Sequence, residues 1–259
     1  MRLLSPLKAI YYLLTLTLVL GFANLTVEGQ ALSSTSQRQR SELDLVIGDR
    51  IGAQPRFAVP NCLALTSDSY TQEAATTIAD VLWADLAFER EFLMIARDTA
   101  STIPAARTLT DLPFDAWREL SADGVVSCSV SRISENELRV QARLFNIRTL
   151  ESAFGVEYSG AVDNVRLYAH QLADEIHRHQ TGLNGIARTH LSFISDRDSQ
   201  SALGLVPDRQ TKEVYLSDYD GANVRRVTVT RTLNVTPNLG PAGRSLAYTS
   251  YRTGFPDVV

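Results

Sequence analysis

The sequence predicts an α/β domain, a mixed sheet with helices packed on it, followed by the opening of an all-β propeller. Three observations predict it. Helical and strand periodicities alternate between about residues 42 and 182, the pattern of a sheet layered with helices. After Gly185 only strands and turns remain. Finally, Leu191-Ser-Phe-Ile-Ser-Asp-Arg197 returns as Leu246-Ala-Tyr-Thr-Ser-Tyr-Arg252, with a turn signature, Asp218-Tyr219-Asp220-Gly221, between the copies. A strand, loop, strand, turn, strand unit cannot bury its apolar face alone, so copies of it stack as the sheets of a propeller.

The elements follow in order. Arg2 and Lys8 precede an uncharged run from Ile10 to Ala23, and the first acid is Glu28. This is the n-region and h-region of a secretory signal peptide over residues 1–31, cut after Ala31 or, as a second choice, after Ala23. The apolar run is short beside the roughly 20 residues of a membrane span, and an uncleaved anchor is the competing reading. Residues 32–41 are rich in Ser, Gln and Arg and form a flexible lead-in. Leu43, Leu45 and Ile47 alternate with Asp44, Val46 and Gly48, which fits a short strand at a sheet edge.

Arg56 to Leu65 is an apolar strand with a kink at Pro60. Ser69 and Gln72 form a capping box before a helix from about Tyr70 to Glu89, with Ala74, Ala75, Ile78, Leu82 and Leu86 at helical spacing. Phe92 to Ala96 is a short strand. Pro113 opens a second helix through Trp117 and Leu120, closed by Asp123-Gly124. Val125 to Ile133 and Leu138 to Ile147 form a hairpin across Ser134 to Glu137, and Ala153 to Tyr158 adds a strand. Asp163 caps a third helix carrying Val165, Tyr168, Leu172 and Ile176, and Gly182 ends it. The short connection from Thr181 to Gly185 separates an α/β domain at 42–182 from a first propeller blade, with the start of a second, at 186–259.

Composition narrows the function. With 44% apolar residues the chain builds a core, and a formal charge of −4 with scattered arginines offers no surface for a phosphate backbone. Nucleic acid is therefore not an expected partner. No Gly-x-Ser-x-Gly elbow, phosphate-binding glycine loop or His-Glu-x-x-His motif occurs, so no catalytic residue and no cofactor is assigned. His170 and His177 share a helix but lie seven apart, without a neighbouring Asp or Cys to complete a metal site, and read as surface or interface histidines. Trp83 and Trp117 read as core. Asp218, Asp220 and Gly221 lack the spacing of a calcium loop and read as a structural turn, with Gly supplying the positive φ. Export permits a disulfide between Cys62 and Cys128, the only cysteines. The reading leans instead to two small buried side chains, because the required Cβ directions do not show in a sequence.

The stretches Lys212 to Thr228 and Pro237 to Arg252 resemble the propeller repeats of the TolB family, periplasmic components of the Tol-Pal system. Asp44-Leu-Val-Ile-Gly-Asp49, Phe57-Ala-Val-Pro60, Trp117 to Val126, Val140 to Ile147 and Leu167 to Ile176 resemble that family's amino-terminal domain in the same order. The resemblance covers about Glu42 to Val259. It implies a scaffold rather than an enzyme, linking inner membrane, peptidoglycan and outer membrane in envelope integrity and division, with a six-bladed propeller when complete. Carried over by position, Glu42, Leu43, Asp44, Leu45, Val46, Ile47, Gly48 and Asp49 would face the TolA-type inner-membrane partner. The propeller would bind the Pal-type lipoprotein, on blades expected beyond Val259. The family's Trp-Ser-Pro-Asp-Gly turn stands here as Leu239-Gly-Pro-Ala-Gly243. The alternative is an exported hydrolase with an amino-terminal propeller, ending before its catalytic domain.

Overall fold

Val125 and Val126, neighbours in one strand, enter two different cores, as the period of two in a pleated strand requires. The computed structural model describes residues 54–198 and 211–259; the expected signal peptide, lead-in and edge strand at 43–47 lie outside them. A mixed sheet runs in the order β3 (Leu93–Met94), β1 (Arg56–Ala58), β4 (Gly124–Ser134), β5 (Glu137–Asn146), β6 (Ser152–Ala161), with β2 (Leu63–Ala64) also on β4. β1 is parallel to β3 and β4, whereas β4, β5 and β6 are antiparallel. The apolar run at 56–65 is thus two short strands on one partner, separated around Pro60 as the missing N–H predicts.

One sheet face is covered by α1 (Ser69–Glu89) and α4 (Val165–Thr181), which join Val126, Cys128, Val130 and the alternate β5 residues Leu138, Val140, Ala142 and Leu144 in the larger core. Phe57 stacks on Phe92 there, ring centroids 4.6 Å apart. The other face is covered by α2 (Arg97–Ala100) and α3 (Phe114–Glu119), where Trp117 is buried against Val125, Phe145 and Ile147. Trp83 is only half-buried and donates its indole N–H to the Ile95 carbonyl, 2.8 Å.

Two caps differ from the sequence reading. Asp68, not Ser69, caps α1: its carboxylate accepts the Thr71 amide at 2.9 Å and the Thr71 hydroxyl at 2.6 Å. Those bonds from Thr71 hold the Asp68 carboxyl down at about 2. Asp163 does not cap α4. It lies inside a 3-10 turn, Val162–Asn164, and Asn164 takes the cap position with no side-chain hydrogen bond. Gly182 does close α4, with φ +76° and its amide on the Arg178 carbonyl.

The described residues after the connection form two three-stranded antiparallel sheets. One holds β7 (His190–Ser195), β8 (Glu213–Asp218) and β9 (Arg225–Arg226); the other holds β10 (Asn234–Leu239), β11 (Leu246–Ser250) and β12 (Asp257–Val258). The two copies of the sequence repeat begin on β7 and β11. Glu213 is buried at the centre of these strands and accepts from Thr228 Oγ1, the Thr230 and Arg231 amides, Asn234 Nδ2 and Arg226 Nη2.

Cys62 and Cys128 are joined by a disulfide, Cα atoms 4.7 Å apart. This corrects the expectation of unpaired side chains. Cys62 sits just before β2, and β2 runs alongside β4 at Ser129, so the register places the two cysteines side by side. The close approach that decides pairing is a product of the parallel sheet, which no local pattern shows.

Candidate partner-binding site

Polar residues on the inner faces of α1 and α4 create a seam on which the later strands dock. Asp85 and Glu89 sit one turn apart on α1, on the stripe that also carries Leu82 and Leu86; His170, Asp174 and His177 occupy the matching stripe of α4. All five side chains are nearly out of solvent. Groups so placed need partners, and each of the five has at least one polar neighbour across the seam. His170 Nδ1 lies 2.7 Å from Asp85 Oδ2, and His177 pairs with Glu89. Burial pushes the His177 imidazole below its ordinary range.

The carboxylates then reach outward to the connection. Glu89 Oε1 accepts the Ile186 amide at 3.2 Å, and Asp174 accepts the Ala187 amide at 2.8 Å and Arg188 Nε at 2.6 Å. The connection is thereby tied to both helices. Gly185 lies so close that a Cβ there would meet Asp174 Oδ1 at 2.4 Å and Asp174 Cα at 2.9 Å. Gly185→Ala is therefore expected to destabilise the chain by about 2 kcal/mol through overpacking against backbone, read as a lower urea midpoint; an unchanged midpoint would show that the connection is loose.

The turn after β8 completes the seam. Tyr219 lays its ring edge-on to Phe88, centroids 5.4 Å apart, and donates its hydroxyl to Asp85 Oδ1 at 2.5 Å. Its amide bonds the Thr189 carbonyl at 3.1 Å. Burial, reinforced by the bond to Asp85, raises the Tyr219 phenol far above its usual range, so it stays a donor. Asp220 pairs with Arg166 at the start of α4. Within the turn, Gly221 has φ +82° and bonds the Asp218 carbonyl, Asp220 Oδ1 accepts the Ala222 amide, and Asp218 Oδ2 accepts Asn223 Nδ2. The turn residues Asp218 and Asp220 thus close their own loop, while Asp220 and Tyr219 also clamp it onto the α1–α4 face.

Of the sequence-predicted site residues, Glu42 to Asp49 lie outside the described residues. The sequence reading missed Asp85, Glu89, Asp174 and Tyr219. One signal was present: acids at positions 85 and 89 interrupt an otherwise apolar helix stripe, which is costly unless a partner covers them. Among the described residues the mixed sheet ends on β3 and β6, and no helix is long and apolar enough to cross a membrane.

Residues 43–152 match the model of the TolB amino-terminal domain. The chain is 30% identical to the Tol-Pal system protein TolB of Ruegeria sp. (strain TM1040), over 93% of this chain and 52% of that one. It is 28% identical to the Tol-Pal system protein TolB of Jannaschia sp. (strain CCS1), over 88% of this chain and 49% of the relative. The chain thus spans about half the length of the curated relatives it matches. Its fold is similar to the crystal structure of TolB from Acinetobacter baumannii, with TM-score 0.61 and 15% identity over 80% of this chain and 46% of that one.

Proposed function

We propose that this chain, whose residues 43–152 match the model of the TolB amino-terminal domain, is a periplasmic interaction scaffold of the Tol-Pal system and not an enzyme. The observation that carries the reading is continuity: similarity to Tol-Pal system proteins runs through the amino-terminal domain and the later strands, over 93% of the chain in one case. On this reading the chain divides its labour. Residues 1–31 direct export, residues 42–182 form the amino-terminal unit, and the sheets within 186–259 are the opening blades of a propeller. The disulfide fits an oxidising compartment.

Glu42 to Asp49 would meet a TolA-type inner-membrane partner by adding as an edge strand, with main-chain hydrogen bonds supplying affinity. The propeller would meet a Pal-type lipoprotein, and the exposed Phe255 and Val258 offer an apolar surface for a further sheet. Such a scaffold supports envelope integrity and outer-membrane constriction by holding its partners at fixed positions. The seam serves that role, since the turn clamped by Tyr219 and Asp220 couples the later strands to α1 and α4.

Val46→Pro tests the strand addition. Proline removes an amide donor and forbids its ladder bond, so affinity for a TolA-type domain should fall about tenfold, about 1.4 kcal/mol, with the circular dichroism of the folded chain unchanged. Equal affinity of both chains in calorimetry would refute β-augmentation.

A further inference from the structure

We propose that His170, Asp218 and Asp220 form a binding site for a first-row divalent cation, with zinc the best chemical match. One nitrogen of His170 and one carboxylate oxygen from each aspartate lie within 4.8 Å of one another, where α4 meets the turn after β8. The acids alone would be an ordinary turn. The imidazole points to more: His170 is 3% exposed, and its Nε2 is buried without a hydrogen-bond partner, 4.0 Å from Asp218 Oδ2.

The other side of the ring explains why that nitrogen is available. Nδ1 lies 2.7 Å from Asp85 Oδ2 and donates to that carboxylate, which leaves Nε2 directed toward Asp218 with no hydrogen bond of its own. Asp218, which also accepts Asn223 Nδ2, and Asp220, paired with Arg166, line the more open side of the gap, and a cation seated there would give the buried Nε2 a partner. The arrangement carboxylate, histidine, cation is the one that fixes ring orientation and raises ligand basicity at metal centres. Tyr219 holds the second oxygen of Asp85 and so locks that outer partner.

The charge balance agrees. Asp85, Asp218 and Asp220 bring three negative charges, and Arg166, on Asp220, brings one positive. A divalent ion would neutralise the remainder. One imidazole with two carboxylates suits zinc and its neighbours better than calcium, which takes six or more oxygens. A fourth position would fall to water. Bound there, the ion would join α4 to the later strands, a role independent of any Tol-Pal partner.

The test uses the purified chain stripped with chelator. Titration with zinc chloride should show one ion per chain and a raised unfolding temperature. His170→Gln and Asp218→Asn should each bind at least tenfold more weakly, while His190→Gln, on exposed β7, binds as the parent does. The nitrogen spectrum of the unsubstituted chain reads the site without mutation: zinc should shift His170 Nε2. No stoichiometric uptake, an unshifted Nε2, or equal binding by His170→Gln would overturn the proposal. So would a seam that protonation alone satisfies, with acid shifting Nε2 and zinc adding nothing.

Discussion

Replacing Cys62 and Cys128 by alanine lowers the unfolding free energy by about 4 kcal/mol, the largest single effect expected in the mixed-sheet domain. The bridge closes a loop with a sequence separation of 66 that holds all of α1, β3, α2 and α3. In the chain-entropy account, cross-linking a loop of that size removes about 4 kcal/mol of freedom from the unfolded ensemble. Both sulfurs are buried, and alanine in each place also removes their packing, which adds to the loss. The same shift should follow reduction of the unsubstituted chain, so guanidinium melts with and without reductant should reproduce the mutant. Thiols that react in the oxidised, denatured chain would show that the bridge does not form, and coincident melts would sink the estimate. The effect also ties fold to compartment, because a domain leaning on this bond needs an oxidising space to reach full stability.

How much of this was legible in the sequence depends on distance along the chain. The β4–β5 hairpin, the Trp117 core and the Gly182 helix end were readable because periodicity and turn chemistry act within a few residues. The α1 cap was missed by one residue. Ser67, Asp68 and Ser69 are all good caps, and Thr71 decided among them by offering both its amide and its hydroxyl to Asp68. The disulfide and the seam are different in kind. Cys62 meets Cys128 because β2 lies parallel to β4, and Asp85 meets His170 and Tyr219 because two helices and a turn converge from distant stretches. A charged residue on an apolar stripe announces that a partner exists; only the fold says which. The expected segment Glu42 to Asp49 rests on sequence and resemblance alone, whereas the described seam gives the later strands a physical tie to the helices.

Glu213→Ala should release those strands. This buried carboxylate gathers donors from Arg226, Thr228, Thr230, Arg231 and Asn234. Alanine leaves the Thr230 and Arg231 amides short of an acceptor and strips one partner from a largely buried guanidinium. Arg226 keeps Asp198 at 2.7 Å, so the cost belongs at the lower end of the range for breaking a buried ion pair, about 3 kcal/mol. The pH dependence follows with a definite sign. Burial alone would raise the Glu213 carboxyl, but hydrogen bonds from the Thr228 hydroxyl, the Arg231 and Thr230 amides and Arg226 outweigh it and hold the group below its ordinary value. A carboxyl depressed in the folded state contributes stability that is fully present above its unfolded pKa, about 4.3, and is lost as pH falls through the folded value. The gap between the parent chain and Glu213→Ala should therefore be full at pH 7 and narrow below about pH 4. Limited proteolysis separates the halves: residues 211–259 of the variant should be cut while 54–182, with its disulfide and two cores, resists. Equal resistance of both halves, or a gap that stays constant from pH 7 to pH 3, would mean that Glu213 is not what holds the strands.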